Sequence, residues 1–220
     1  MVAPRHRALP PALVICDAGA PGVLAAAIAS EEQAPEEARA NKIKPAIWGV
    51  TPEGQPALAA TSAWDKIAAH FGLRRVDAPV PDPIRREGLP APEADTLMLV
   101  RACSIAAELE LRRVIWPVRA TGSTEPDMLA AAANASDRAL LVSRLATLDA
   151  EKAGLPEVAI ETPLLDLTDD QIGELIDDMA APLDLCWWAS GPTAKTEQAI
   201  AERERWGRWL GAPSQQAAGA

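Results

Sequence analysis

The stretch "VICDAGAPGVLAAAIA", Val14 to Ala29, joins an apolar run to an Ala-rich run through a turn of small residues. An apolar strand, a tight turn and a helix in that order make the shape of a phosphate-binding β-turn-α unit. The turn itself carries an acid at Asp17 and a proline at Pro21, with no Ser, Thr or Lys. Three readings follow from those residues: a phosphate loop, a former phosphate loop, or a tight turn kept for packing.

Working outward, four more short apolar runs join "ALVIC" (12–16) as strand candidates: "PAIWGV" (45–50), "RRVDAP" (74–79), "RVIWPV" (113–118) and "EVAIE" (157–161). Each is flanked by turn or helix signals, as strands buried on both faces tend to be. Between them the periodicity is helical. Trp64, Ile67, Ala68 and Phe71 repeat on one face, and Gly72 follows as a cap. In "TLMLVRACSIAAELEL" Leu97, Val100, Ser104 and Ala107 share a face. "STEPDML" offers a helix start with Thr124 as N-cap and Pro126 in the first turn. Thr168 and Gln171 have capping-box spacing ahead of Ile172, Leu175, Ile176 and Met179. A last helix is expected over roughly 196–210, with a Trp206/Trp209 seam.

Strands alternating with helices predict an α/β fold with a five-stranded, mostly parallel sheet and helices on both faces. The organisation expected is a leader over 1–11, an α/β domain over 12–162, a C-terminal helical appendage over 163–211 and a loose tail over 212–220. The segment 77–95 is Pro-rich and reads as a surface excursion. The chain of 220 residues is 49% hydrophobic and 24% charged, and its net charge of −10 leaves no basic excess for nucleic acid. No apolar run reaches the length of a membrane span. Arg5 and Arg7 ahead of an apolar stretch only faintly mimic a signal peptide, because prolines interrupt it. Cys16, Cys103 and Cys186 lie far apart, as buried thiols of a reducing compartment do, and a cytoplasmic protein is expected.

The order of segments resembles the 7-cyano-7-deazaguanine synthase family, ATP-dependent PP-loop enzymes of queuosine-precursor biosynthesis. The residues that carry the likeness lie in "ETPLLDLTDDQIGELIDDMAAPLDLCWWASG" (161–191). Pro163, Leu164, Leu165, Asp166, Leu167, Thr168 and Ile172 match the family's P-L-[ILV]-D-L-[TS]-K-x-E-I stretch, and Pro182, Leu183 and Trp187 match the following P-L-x-x-[ST]-W-S-C. Pro126 and Asp127 match a Pro-Asp after its fourth strand. The resemblance implies strand order 3-2-1-4-5, a switch point between strands one and four, and a ligand crevice over Asp17–Gly22 and Pro117–Thr121.

The departures fall on the chemical motifs. Where the family has S-G-G-x-D-S, this chain has Asp17, Ala18, Gly19, Ala20, Pro21 and Gly22, and only Gly19 agrees. A carboxylate at Asp17 about 4 Å from a phosphate repels it by about 4 kcal/mol at intermediate dielectric. Pro21 removes an N–H that an anion could have used. The family's zinc cysteines are gone: Ala189 takes the first position and residues 190–220 hold neither Cys nor His. An Arg-Asn pair of the family falls on Ala94 and Asp95. His6 and His70, the two histidines, have no triad partners, and Ser104 and Ser143 lie inside helical patterns, so no catalytic residue is expected.

The expectation is therefore a degenerate homologue without the usual ligase activity, binding a nucleoside, another small ligand or a partner, as a homodimer or with a second protein. The candidate ligand residues are Asp17, Ala18, Gly19, Ala20, Gly22 and Arg119, the last at the C-terminal end of the fourth strand, where it meets an anion or stands exposed. No zinc is expected, and no metal ligand is assigned; ATP or AMP with Mg²⁺ remains open. Two other readings stand beside this one. The chain is an active ATP-dependent amide- or nitrile-forming ligase in which Mg²⁺ bridges Asp17 and phosphate, with Arg119 assisting. Or it is a structural subunit that docks through its Trp-rich C-terminus, although Trp187, Trp188, Trp206 and Trp209 read first as packing residues.

Overall fold

Five short strands are adjacent and parallel in the computed structural model, which describes residues 9–32, 43–51, 57–80, 93–120, 124–189 and 195–210. The elements run β1 (Ala12–Cys16), α1 (Ala20–Glu31), β2 (Ala46–Gly49), α2 (Ala57–Phe71), β3 (Arg74–Val76), α3 (Ala94–Glu108), β4 (Arg113–Ile115), α4 (Glu125–Ala153), β5 (Ala159–Glu161), α5 (Asp169–Asp178) and α6 (Glu197–Trp206), with single 3₁₀ turns at Leu183–Leu185 and Gly207–Trp209. The sheet order is β3-β2-β1-β4-β5, and every pair is parallel, not just most of them. Val14 at the centre pairs with Ile47 on one side and Ile115 on the other. The strand pattern of period two splits the core. Val14, Cys16, Ile47 and Ile115 pack against α1 and α2, while Leu13, Ile15, Trp48 and Val114 pack against α3 and α4.

Local signals in the chain set several boundaries. Thr168 accepts the Gln171 N–H while the Gln171 side chain accepts the Thr168 N–H, a complete capping box. Thr124 accepts from the Asp127 N–H at the start of α4, and Gly72 ends α2 with φ of +66°. Strands two to five are shorter than the apolar runs that announced them. The face expected for α3 is corrected: Val100 and Ser104 are exposed, and Leu99, Ala102, Cys103 and Ala106 meet the sheet. The apolar residues of that helix cover most of its circumference, so periodicity alone left its orientation ambiguous.

Residues 163–189 and 195–210 share one core with α1 and α2. Ile172, Ile176, Leu183, Trp187, Trp188 and Trp206 are buried against Ala18, Val23 and Leu24. At the start of β4, Arg113 staples three elements. It donates to both oxygens of Glu161 at 2.7 and 2.6 Å, to Glu32 at 2.8 Å and to the Pro10 carbonyl at 3.1 Å. Burial works against its charge, but the Glu161 and Glu32 carboxylates outweigh it and hold the guanidinium above its ordinary value. Of the expected leader, Pro-rich excursion and tail, residues 1–8, 81–92 and 211–220 lie outside the described residues, as does His6.

Candidate functional site

The C-terminal end of β1 carries the turn that opened the question. Gly19 caps α1 in an extended conformation, φ −87° and ψ −179°, and the helix begins at Ala20 with Pro21 in its first turn. A proline there costs the helix no hydrogen bond, because the first N–H groups lack intrahelical partners anyway. Ala18 holds φ of 60° with its methyl fully buried. That left-handed conformation costs a non-glycine residue about 1–2 kcal/mol. Two contacts hold it: the Ala18 N–H points at Cys16 Sγ at 3.3 Å, and the Ala18 carbonyl accepts the Trp187 N–H at 3.0 Å.

The Asp17 side chain folds back over this turn. Its Oδ1 accepts the Gly19 N–H at 2.8 Å. A methyl placed on Gly22 would lie 2.6 Å from Asp17 Oδ1 and 2.9 Å from Cys16 Sγ, and one on Gly19 would lie 3.2 Å from both carboxyl oxygens. The two glycines therefore make room for a carboxyl group of the chain itself, lying on the first turn of α1. Anions favour that location, since free N–H groups and the positive end of the helix dipole converge there. Burial raises the Asp17 carboxyl above the ordinary carboxylate range, the Gly19 N–H opposes the rise, and Glu202 of α6 adds to it.

The predicted ligand residues divide into two groups. Asp17, Ala18, Gly19, Ala20 and Gly22 come together in the turn, with Ala18, Gly19, Ala20 and Gly22 buried. Trp187, Trp188 and Trp206 close over them and are at most 3% exposed, so these rings complete the chain's own core. Arg119 lies four residues past the end of β4, and its side chain is neither exposed nor unpaired. It is 12% exposed, donates to Asp169 and sits 5.7 Å over the Trp206 ring. Arg205 of α6 grips the same carboxylate from the other side at 2.7 and 2.9 Å. The Asp169 carboxyl is accordingly held below its usual range: burial opposes, and Arg205 and Arg119 prevail. Burial and the neighbouring Arg205 charge push the Arg119 guanidinium down, against the pull of Asp169. Asp169, the first residue of α5, is thus the bridge between two arginines.

An open depression of about 450 Å³ beside this bridge is lined by Arg119, Ala120, Met128, Thr168, Asp169 and Arg205. Glu202 links it to the turn. Its charge acts on Asp17, Cys186, Arg119 and Arg205, and it accepts the Trp206 indole N–H at 3.0 Å. Sequence reasoning missed Glu202 and Arg205. The spacing of Glu202 and Trp206, one helical turn apart, was the one signal present, and it says nothing about what the pair faces.

The remaining candidates are structural. Burial raises the thiols of Cys16 and Cys186 far above their ordinary value and Cys103 to about 12, so none is a nucleophilic thiolate. Ser143 donates to the Ala139 carbonyl at 2.7 Å and accepts the Ile160 N–H at 2.9 Å, tying α4 to β5. His70 stacks edge-on against Phe71 at the end of α2. Among the described residues, no group of three or more His, Cys, Asp or Glu side chains is placed to hold a metal ion. No described helix is long and apolar enough to cross a membrane. No family model matches the chain, and no curated protein matches it.

Proposed function

We propose that this chain is a degenerate relative of the 7-cyano-7-deazaguanine synthases, retained as a binding protein and not as an ATP-dependent ligase. The observation that carries the reading is the Asp17 carboxyl lying on the first turn of α1, 2.8 Å from the Gly19 N–H. A polyphosphate would have to displace that group from the Gly19 N–H and from the space over Gly22 before it could reach the helix terminus. The left-handed Ala18, in the position of a family glycine, supports descent from a loop that once needed that conformation. The small ligand of this reading is a nucleoside or nucleoside monophosphate in the depression beside Arg119, Thr168 and Arg205. An anionic group there competes with Asp169 for both guanidiniums, so affinity is expected to be modest.

Calorimetric titration with ATP and Mg²⁺, with AMP and with adenosine tests this. Adenosine or AMP binding that Arg119→Ala abolishes, with silence for ATP, supports the proposal. Micromolar ATP binding that Asp17→Ala abolishes refutes it in favour of a Mg²⁺-dependent ligase. Silence for all three removes the small ligand and leaves a partner-binding protein.

A further inference from the structure

The helix α4 spans 29 residues, and its outward face is apolar in the middle. Leu141, Leu145 and Leu148 are 68%, 51% and 58% exposed. Their spacing of four and three residues puts them in one line along the helix, opposite the face on which Ala135, Ala139, Val142 and Ala150 meet the core. The line continues in each direction into a charge: exposed Asp137 one turn before Leu141, and exposed Lys152 one turn after Leu148. Beside it, between α3 and α4, runs an apolar groove of about 290 Å³ lined by Val100, Cys103, Ala107, Leu145, Ala146 and Leu155. Seam and groove share Leu145, and together they form an exposed apolar patch of the kind that marks an interaction surface.

The order of charges decides what fits it. A seam that reads acid, Leu, Leu, Leu, base is complementary to its own reverse. Laid antiparallel about a two-fold axis between residues 144 and 145, Leu141 meets Leu148 of the second copy, the two Leu145 side chains meet at the axis, and Asp137 meets Lys152 twice over. A parallel pairing would instead set Asp137 against Asp137 and Lys152 against Lys152. The paired length, Asp137 to Lys152, is about 22 Å at a rise of about 1.5 Å per residue. We propose that the Leu141–Leu145–Leu148 seam of α4 is the interface of an antiparallel homodimer, an isologous contact in which each copy presents the same patch. Arg144 stands at the rim beside the axis, where the Arg144 residues of two copies approach and weaken the contact. This surface lies away from the β1–α1 turn and does not depend on the function proposed for it.

Sedimentation equilibrium of the full chain is the test. A dimer with a dissociation constant in the micromolar range is expected, as befits a small interface. Leu141→Glu with Leu148→Glu, both at exposed positions that leave the thermal unfolding midpoint within a few degrees, should raise that constant by about 100-fold or more. Asp137→Lys should raise it about tenfold, and adding Lys152→Asp should restore it; Arg144→Gln should lower it several-fold. A wild-type chain that stays monomeric at 100 μM overturns the proposal, whether or not another protein covers the seam. So does a dimer indifferent to the leucine pair, or a charge reversal that fails to restore association.

Discussion

Replacing Gly22 with alanine tests whether the Asp17 carboxyl fills the turn. The new methyl would sit 2.6 Å from Asp17 Oδ1, well inside contact distance, so the carboxyl has to swing away. Its hydrogen bond from the Gly19 N–H is then lost, and leaving that buried donor without a partner costs about 1–3 kcal/mol. Contact with Cys16 Sγ at 2.9 Å adds crowding of about 1 kcal/mol. Alanine in a helix returns about 1 kcal/mol relative to glycine. The net expectation for Gly22→Ala is a loss of about 2 kcal/mol. With Asp17→Ala already in place, the main obstacle is gone, and the same substitution should cost close to nothing. The coupling between the two sites is therefore about 2 kcal/mol. Urea unfolding followed by tryptophan fluorescence reads it: at a slope of about 2 kcal/mol per M, Gly22→Ala alone moves the midpoint down by about 1 M. Effects of the two substitutions that add to within about 0.5 kcal/mol would mean that the carboxyl does not occupy the turn, and the argument for a self-filled phosphate loop would fall with it.

Two further outcomes follow from named groups. Because burial raises the Asp17 carboxyl above its unfolded value of about 3.9, its contribution to stability is full below that pH and drains away as pH rises through the elevated folded value. Asp17→Asn keeps an acceptor for the Gly19 N–H and removes the titration, so its stability relative to wild type should grow with pH across that window; denaturant midpoints from pH 3.5 upward give the trend, and a gap that shrinks refutes the assignment. Arg113→Ala should cost about 2–3 kcal/mol, less than the 3–5 typical of a fully buried pair, because Glu32 and Glu161 keep 27% and 39% exposure and regain water. Arg113→Met, which keeps the volume, should cost less, and equal losses would show that charge and not packing holds the staple.

The sequence alone determined the elements that local interactions decide. Apolar runs of five or six residues between helical stretches are strands in a parallel sheet, because only strands covered on both faces are continuously apolar. Thr124, Thr168 with Gln171, and Gly72 marked their helix ends, since each makes its hydrogen bond or takes its dihedral within a turn of itself. Cys103 and Cys186 read as buried thiols for the same reason that Leu does. What lay beyond the sequence was which distant groups would meet. Asp17 was legible as an obstacle to phosphate, but its seat on α1 depends on the space left by Gly22, in the first turn of the helix. Asp169 lies 50 residues from Arg119 and 36 from Arg205, and no periodicity links positions that come together only when α5 and α6 fold back over the sheet. The same holds for the tryptophans: spacing offers a Trp206 face, but only the packing of residues 163–189 and 195–210 on α1 turns that face inward. Hydrogen bonds and dihedrals close over a few residues and can be read from neighbours in the chain. Charge bridges and buried faces close over space, and the fold alone chooses their partners.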